Sequence, residues 1–423
     1  MSRIAVIGAG ISGMAAAHLL SRKHKVWLFE RENRLGGHTH THEIETSCGV
    51  LPIDTGFIVH NDRTYPNLVR LFHELGIERQ SSDMSFGVSC RETGFEYSSR
   101  GLRGFFASRR NWYRFGHYRF LAEIMRFNRE AHKLLQDPVK AELKLGDYLR
   151  GQQFRGDFVR YYLHPMAAAV WSTSPEEIED FPAFTLIRFL DNHGLLGLTA
   201  QPQWYVLRGG SSSYIAPLTE PYKERIRLGA RIEGVTRTPS GVLIGFEDRV
   251  PESFDEVVFA CHAPQTMQLL KDVTPRERQV LSAFRTSRNE TVLHTDSRML
   301  PHRPGARASW NYHLGAQRHV ATLTYHMNRL QSLPTKEDYC VTLNDKQSID
   351  QHSVVREMTY YHPLYTVEAV RAQARWLEIS GQNRTHFCGA YWFYGFHEDG
   401  LNSAIRVAER LGVAWELKAS AAA

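Results

Sequence analysis

The sequence predicts an α/β domain of Rossmann type joined to an α+β domain with an antiparallel sheet. Three observations predict it: a glycine-rich strand-turn-helix-strand unit at the N-terminus, further strand and glycine signals after Ala200 and near the C-terminus, and alternating apolar runs between them. At 423 residues the chain exceeds what one hydrophobic core usually serves, so two or three domains are expected. Its composition, 42% hydrophobic and 23% charged, excludes a disordered chain.

Arg3 to Ile7 (RIAVI) reads as a buried strand, Gly8-Ala-Gly10-Ile11-Ser12-Gly13 as the turn, and the run through Leu20 as a helix. Lys25 to Phe29 is the second strand and ends in Glu30, twenty residues past the central glycine. This is the dinucleotide-binding fingerprint. Gly8 permits the tight turn, Gly10 lets backbone approach a pyrophosphate, and Gly13 lets the helix lie on the sheet. The helix N-terminus offers N–H groups to phosphates, and Glu30 can accept from ribose hydroxyls.

Tyr65 to Gly76 has helical periodicity and a glycine stop, and Gln136 to Leu149 is read as another helix. After Ala200, Arg208-Gly209-Gly210-Ser211 opens a helix. Strands follow at Arg225 to Leu228, Ala230 to Arg237, Val242 to Phe246 and Glu256 to Ala260. Ala308 to His313, His319 to Asn328 and Tyr339 to Leu343 read as an antiparallel sheet. Thr385 to Cys388 is a last buried strand, before an aromatic loop, Tyr391 to His397, and a helix from Gly400 to Leu411. The terminal KASAAA reads as a frayed tail. The resulting division is 1–90, 201–265 and 381–423 for a discontinuous nucleotide domain, and 91–200 with 266–380 for the substrate domain.

These motifs together resemble the flavin-containing amine oxidase and phytoene desaturase superfamily. Glu30-Arg31-x2-Arg34-x-Gly36-Gly37, Asp54-Thr55-Gly56, Arg208-Gly209-Gly210, Val257-Val258-Phe259-Ala260, Phe387-Cys388-Gly389-Ala390 and Gly395 to Gly400 follow in that superfamily's order. The resemblance implies a glutathione-reductase-type FAD-binding domain. It implies FAD contacts from Gly8, Gly10, Ile11, Ser12, Gly13, Glu30, Arg31, Arg34, Gly36, Gly37 and His38. Further contacts are implied from Asp54, Thr55, Gly56, Phe57, Ala260, Gly389 and Ala390, and from the backbone near Val235 to adenine. Gly400, Leu401 and Asn402 are the expected helix N-terminal donors to the reduced flavin.

A closer resemblance, carried by RLGGHTHTHE, PIDTGFIVHN and CGAYWFYGFHEDGLNSA, is to bacterial predicted FAD/NAD-binding flavoproteins found beside cyclopropane-fatty-acyl synthase-like genes. It implies hydride transfer from a substrate C–H to flavin N5, on a hydrophobic fatty-acyl or lipid-like substrate, with oxygen or another acceptor taking the electrons. A flavin amine oxidase and a non-catalytic lipid-binding escort protein of the same fold remain as alternatives. The chain departs from the superfamily pattern where His38 replaces a second arginine, where Ala390 replaces an acid, and where Phe396 stands for a cage tyrosine. No match to the superfamily's flavin-adjacent lysine is found.

Residues near the expected ring are candidates for catalysis or for the substrate wall: His38, Tyr391, Trp392, Tyr394, Phe396 and His397, with Tyr65 a further candidate base. The plainer account of the aromatic run is core packing. His38, His40 and His42 alternate and would share one strand face; a polar strand is expected there, with no metal. Cys48, Cys90, Cys261, Cys340 and Cys388 form no CxxC pair, so Cys48, Cys261 and Cys388 are read as small buried hydrophobes and the compartment as reducing. No apolar run approaches the roughly 18 residues of a membrane span, and the expected location is cytoplasmic.

Charge is concentrated. Between Arg100 and Arg129 eight arginines face one acid, Glu123, and eight aromatics share the segment. Trp112, Phe115 and Tyr118 recur at spacing three, as on an interfacial helix. The reading is peripheral contact with an anionic inner-membrane surface, against a solvated basic face; nucleic acid is not expected as a partner.

Overall fold

The computed structural model describes residues 1–46, 49–137, 142–171, 175–197, 202–315 and 322–415. Five parallel strands form the first sheet, in the order Ile226–Arg227, Lys25–Phe29, Arg3–Ile7, Glu256–Phe259 and Thr385–Phe387. Its centre is continuous apolar sequence, RIAVI beside VVF, because helices or further sheet cover both faces. The first helix, Ile11–Leu20, is buried along nearly its whole length, and the C-terminal helix His397–Arg410 packs against it. A three-stranded antiparallel sheet (Ile232–Thr238, Gly241–Phe246, Glu252–Phe254) lies against the same core, where Phe29 meets Phe246 and Phe254.

The second large sheet has seven strands: Val354–Leu364, Arg285–His294, Cys340–Leu343, Thr322–His326, Trp310–Leu314, Phe86–Cys90 and Phe95–Ser98, in spatial order. Its pairings are antiparallel except that of Trp310–Leu314 with Phe86–Cys90, which is parallel. The hairpin at 86–98 thus hydrogen-bonds into the seven-stranded sheet. Helices between 101 and 192 pack on this end of the sheet: Val88, Tyr97, Tyr312 and Leu323 share a core with Phe120, Phe127, Leu186 and Phe189.

Several sequence expectations are corrected. The helix expected over 136–149 is a shorter one, Leu145–Gly151; Gln136 is instead the end of the long helix Phe115–Leu135, and 138–141 lie outside the described residues. The strand expected over 319–328 is Thr322–His326, and Met327 begins a helical turn. Of the three alternating histidines only His42 lies in a strand, Thr41–Thr46. Trp112 sits on a separate turn, Arg109–Tyr113, before the helix that carries Phe115 and Tyr118. Cys48 and the terminal KASAAA fall outside the described residues.

Candidate functional site

The carboxyl ends of the parallel strands meet at one crevice. Gly8 N–H donates to Phe29 O (2.8 Å), Ala260 N–H to Ile7 O (2.8 Å), Cys388 N–H to Phe259 O (2.9 Å) and Gly36 N–H to Ala9 O (2.9 Å). Gly8 has φ +105°, and a β-carbon there would lie 2.8 Å from Ala260 O. One on Gly13 would lie 1.8 Å from Gly8 O, so only glycine lets this helix start so close to the turn. Gly10 is different: nothing lies within 4 Å of its would-be β-carbon.

This cradle fits the diphosphate of a dinucleotide. The helix from Ile11 has no side-chain cap and no acid in its first turn, so its N–H groups and partial positive charge face the space beside Gly10. Glu30 is held by Ala9 N–H (2.8 Å) and Glu32 N–H (2.9 Å), which fixes the carboxylate at the end of its strand. Arg34 is turned to the loop: it donates to Gly37 O (2.9 Å) and pairs with Glu32 (3.1 Å). Arg31 is exposed. The Val235 carbonyl already accepts from Lys271 N–H (3.0 Å), and the Lys271 chain lies over Gly234.

Three distant motifs are tied together by polar side chains. Asp54, fully buried, accepts from Ser211 N–H (2.8 Å), Ser211 Oγ (2.9 Å), Thr41 Oγ1 (2.6 Å) and Gln331 Nε2 (3.2 Å). Burial raises its pKa to about 6 against these donors. Gly56 lies under His38, with a would-be β-carbon 2.0 Å from His38 O. Thr39 Oγ1 shares hydrogen bonds with Tyr214 Oη (2.6 Å) and His397 Nε2 (2.9 Å), and the His397 ring stacks on Phe57 at 3.8 Å.

The C-terminal helix begins at His397, three residues before the expected start. Phe396 is extended, and its N–H donates to the Asp399 carboxylate (2.9 Å), closing the first turn. Gly400 N–H donates to Phe396 O, so Gly400, Leu401 and Asn402 lie inside the helix and are not its free N-terminal donors. Gly400 is where this helix touches the first: a β-carbon would lie 2.7 Å from Ile11 Cγ2. Glu398 faces the other way and caps the helix Pro66–Glu74, accepting from Asn67 N–H (3.0 Å) and Leu68 N–H (2.8 Å). Gly389 N–H donates to Ser403 Oγ (2.8 Å).

The aromatic run divides. Tyr391 and Trp392 turn into the nucleotide-domain core against Phe284, with ring centroids at 4.9 and 4.8 Å, so for these two packing is the structural role. Tyr394 and Phe396 face the helices of the insertion: Phe396 stacks on Phe189 at 5.0 Å, and Trp171 Nε1–H donates to Tyr394 O (3.3 Å).

His38 points to residues that sequence reasoning missed. Its ring lies 5.2 Å from Tyr360, 5.3 Å from His362 and 6.2 Å from His262, and its Nε2 has no hydrogen-bond partner among the described residues. Burial first, then the neighbouring imidazoles, holds His38 well below the usual histidine range. Burial likewise lowers His362 to about 4, His397 to about 3, and His262. The cluster is therefore neutral at physiological pH. The one sequence signal for it was His262, two residues past the VVFA strand.

The family described as flavin containing amine oxidoreductase matches residues 11–294. The fold is similar to that of several solved structures. Wild-type putrescine oxidase bound to putrescine superposes with TM-score 0.69 at 13% identity, covering 97% of this chain and 98% of that one. A CLA-producing fatty acid isomerase from P. acnes gives 0.70 at 16%, with 97% and 98% covered. Cyclohexylamine oxidase from Brevibacterium oxydans IH-35A gives 0.66 at 15%, with 97% and 99% covered. At such identities the likeness is one of fold.

Proposed function

The chain belongs to the flavin containing amine oxidoreductase family, an FAD-dependent enzyme class, and on that premise we propose that it oxidises or desaturates a hydrophobic, fatty-acyl or lipid-like substrate. When bound, FAD supplies the hydride acceptor, at N5. The chain's own residues would bind and orient. Gly8, Gly10, Ile11, Ser12 and Gly13 would hold the diphosphate and Glu30 the ribose. Gly36 and Gly37 would border the same groups.

The observation that carries the substrate reading is the wall formed by Phe189, Phe396 and Tyr394, backed by Trp171. A cleft bordered by these rings would exclude water and suit an acyl chain. The two carboxylates beside it are already engaged, Asp399 on Phe396 N–H and Glu398 on Asn67 and Leu68 N–H. One structural neighbour is a CLA-producing fatty acid isomerase, which supports this reading. His38, kept neutral, would serve as a hydrogen-bonding group toward cofactor or substrate rather than as a cation. A cytoplasmic location belongs to the same proposal. So does the domain division given above, with the hairpin at 86–98 moved to the substrate side.

A second reading, amine oxidation, is favoured by the structural likeness to putrescine oxidase and cyclohexylamine oxidase. Anaerobic mixing of the FAD-loaded enzyme with fatty acids, phospholipids or simple amines separates the two. Bleaching of the flavin absorbance by an acyl substrate alone is expected, with Phe396→Ala raising KM more than it lowers kcat. Bleaching by amines alone overturns the lipid assignment.

A further inference from the structure

We infer that residues 102–125 form a docking surface for an anionic lipid bilayer. Thirteen large hydrophobic side chains of the described residues are exposed, and six of them, Leu102, Trp112, Tyr113, Phe115, Tyr118 and Met125, fall in these 24 positions. Such clustering is unlike the scattered single exposures of an ordinary surface.

The helix Phe115–Leu135 has two apolar stripes. Its inward stripe, Phe120, Ile124, Phe127, Ala131 and Leu134, is buried against the substrate-side core. Phe115, Tyr118, Ala122 and Met125, at spacings of three and four, form a second stripe on the opposite face, and all four are exposed. Packing of the domain accounts for the first stripe and leaves the second open to water. Phe115 is 84% exposed and Tyr113 91%.

The patch is continuous with the preceding turn and held in shape. Trp112 stacks on Phe106 at 4.2 Å, Phe106 lies 5.4 Å from Tyr118, and Tyr118 Oη–H donates to Trp112 O at 3.0 Å. Trp and Tyr with an apolar body and a polar tip are suited to the headgroup level.

Charge selects the occupant. Arg103, Arg109, Arg110, Arg114 and Arg119 are all exposed, and none of them enters an ion pair among the described residues. The flanking Arg100, Arg126 and Arg129 are paired with Asp83, Glu123 and Glu130. Five open cations around an apolar stripe match anionic headgroups over hydrocarbon. Nucleic acid would satisfy the arginines and leave Leu102, Phe115 and Met125 in water. No helix of the described residues is long and apolar enough to cross a membrane, so this surface would lie on the bilayer.

Flotation of the full FAD-loaded chain with phosphatidylcholine vesicles, with and without phosphatidylglycerol, tests the inference. Binding only to the phosphatidylglycerol vesicles, weakening with salt, is expected. Arg110→Gln with Arg114→Gln should weaken it about thirtyfold. Tyr113→Ser with Phe115→Ser should abolish the part that survives high salt, with flavin content and circular dichroism unchanged. Wild-type chain that stays off acidic vesicles overturns the inference, as does equal binding to both vesicle types or retention by RNA or DNA alone. The inference stands apart from the substrate assignment: a chain that oxidises amines and floats with acidic vesicles keeps this surface and loses the acyl reading.

Discussion

Acidification from pH 6.5 to about 5.5 is expected to weaken the fold by at least about 2 kcal/mol. Four histidines, His60, His193, His294 and His313, are buried, and burial lowers each to about 4. Their contacts give the reason. His294 Nδ1 accepts Asp296 N–H (3.1 Å), a bond that a proton on that nitrogen would break, and neither ring nitrogen of His60 has a partner among the described residues. With an unfolded value of 6.5, each takes up its proton mainly on unfolding once the pH drops below that value. Stability is therefore full above 6.5 and lost as pH falls toward 4, by about 1 kcal/mol per histidine over this interval. Two buried carboxyls oppose the loss. Burial raises Asp54 to about 6 and Asp399 to about 7. Between about 4 and 7 the folded state binds more of their protons, so acidification restores about 2 kcal/mol from the pair. His38, His262, His362 and His397, also lowered by burial, add to the loss in the same direction, so the remainder of about 2 kcal/mol is its lower bound. Urea unfolding at the two pH values, with FAD in fixed excess, measures it, and His313→Gln should reduce the loss by about 1 kcal/mol. Stability that is flat or rises on acidification would refute the reasoning.

Gly10→Val should fold normally, because the side chain enters open space, yet purify without flavin; Gly13→Val should instead lower the melting temperature, since its β-carbon meets Gly8 O. A yellow Gly10→Val protein contradicts the cradle. Asp54→Ala removes the acceptor of four buried or half-buried donors and is expected to cost about 3–5 kcal/mol in chemical unfolding. Glu398→Ala uncaps the helix Pro66–Glu74 and should cost about 1 kcal/mol, read from the denaturation midpoint. A Glu398 loss near zero would show that the cap contributes nothing.

The nucleotide cradle was legible because its determinants are local. Turn glycines, a following helix and an acid at the end of the second strand act within thirty residues of one another. The start of the C-terminal helix was misread for a local reason as well. Gly400 looked like a helix opener, whereas Glu398 and Asp399, an acidic first turn closed by Asp399 on Phe396 N–H, were the signal that mattered. The fate of the aromatic run was not legible, since five neighbouring rings give no sign of which domain each will meet. Tyr391 and Trp392 go to Phe284, and Phe396 goes to Phe189.

From its sequence alone this protein has the class of its nucleotide domain, the place of its diphosphate cradle and the concentration of arginine and aromatic residues at 100–129. Those are properties of backbone conformation and composition within short stretches. Tertiary structure alone decides that His262 and His362 gather around His38 and that burial holds all three imidazoles below the usual histidine range. It alone decides that the helix from Phe115 turns a second apolar stripe to water. Burial and facing depend on which distant segments pack together, and no short window of sequence contains that.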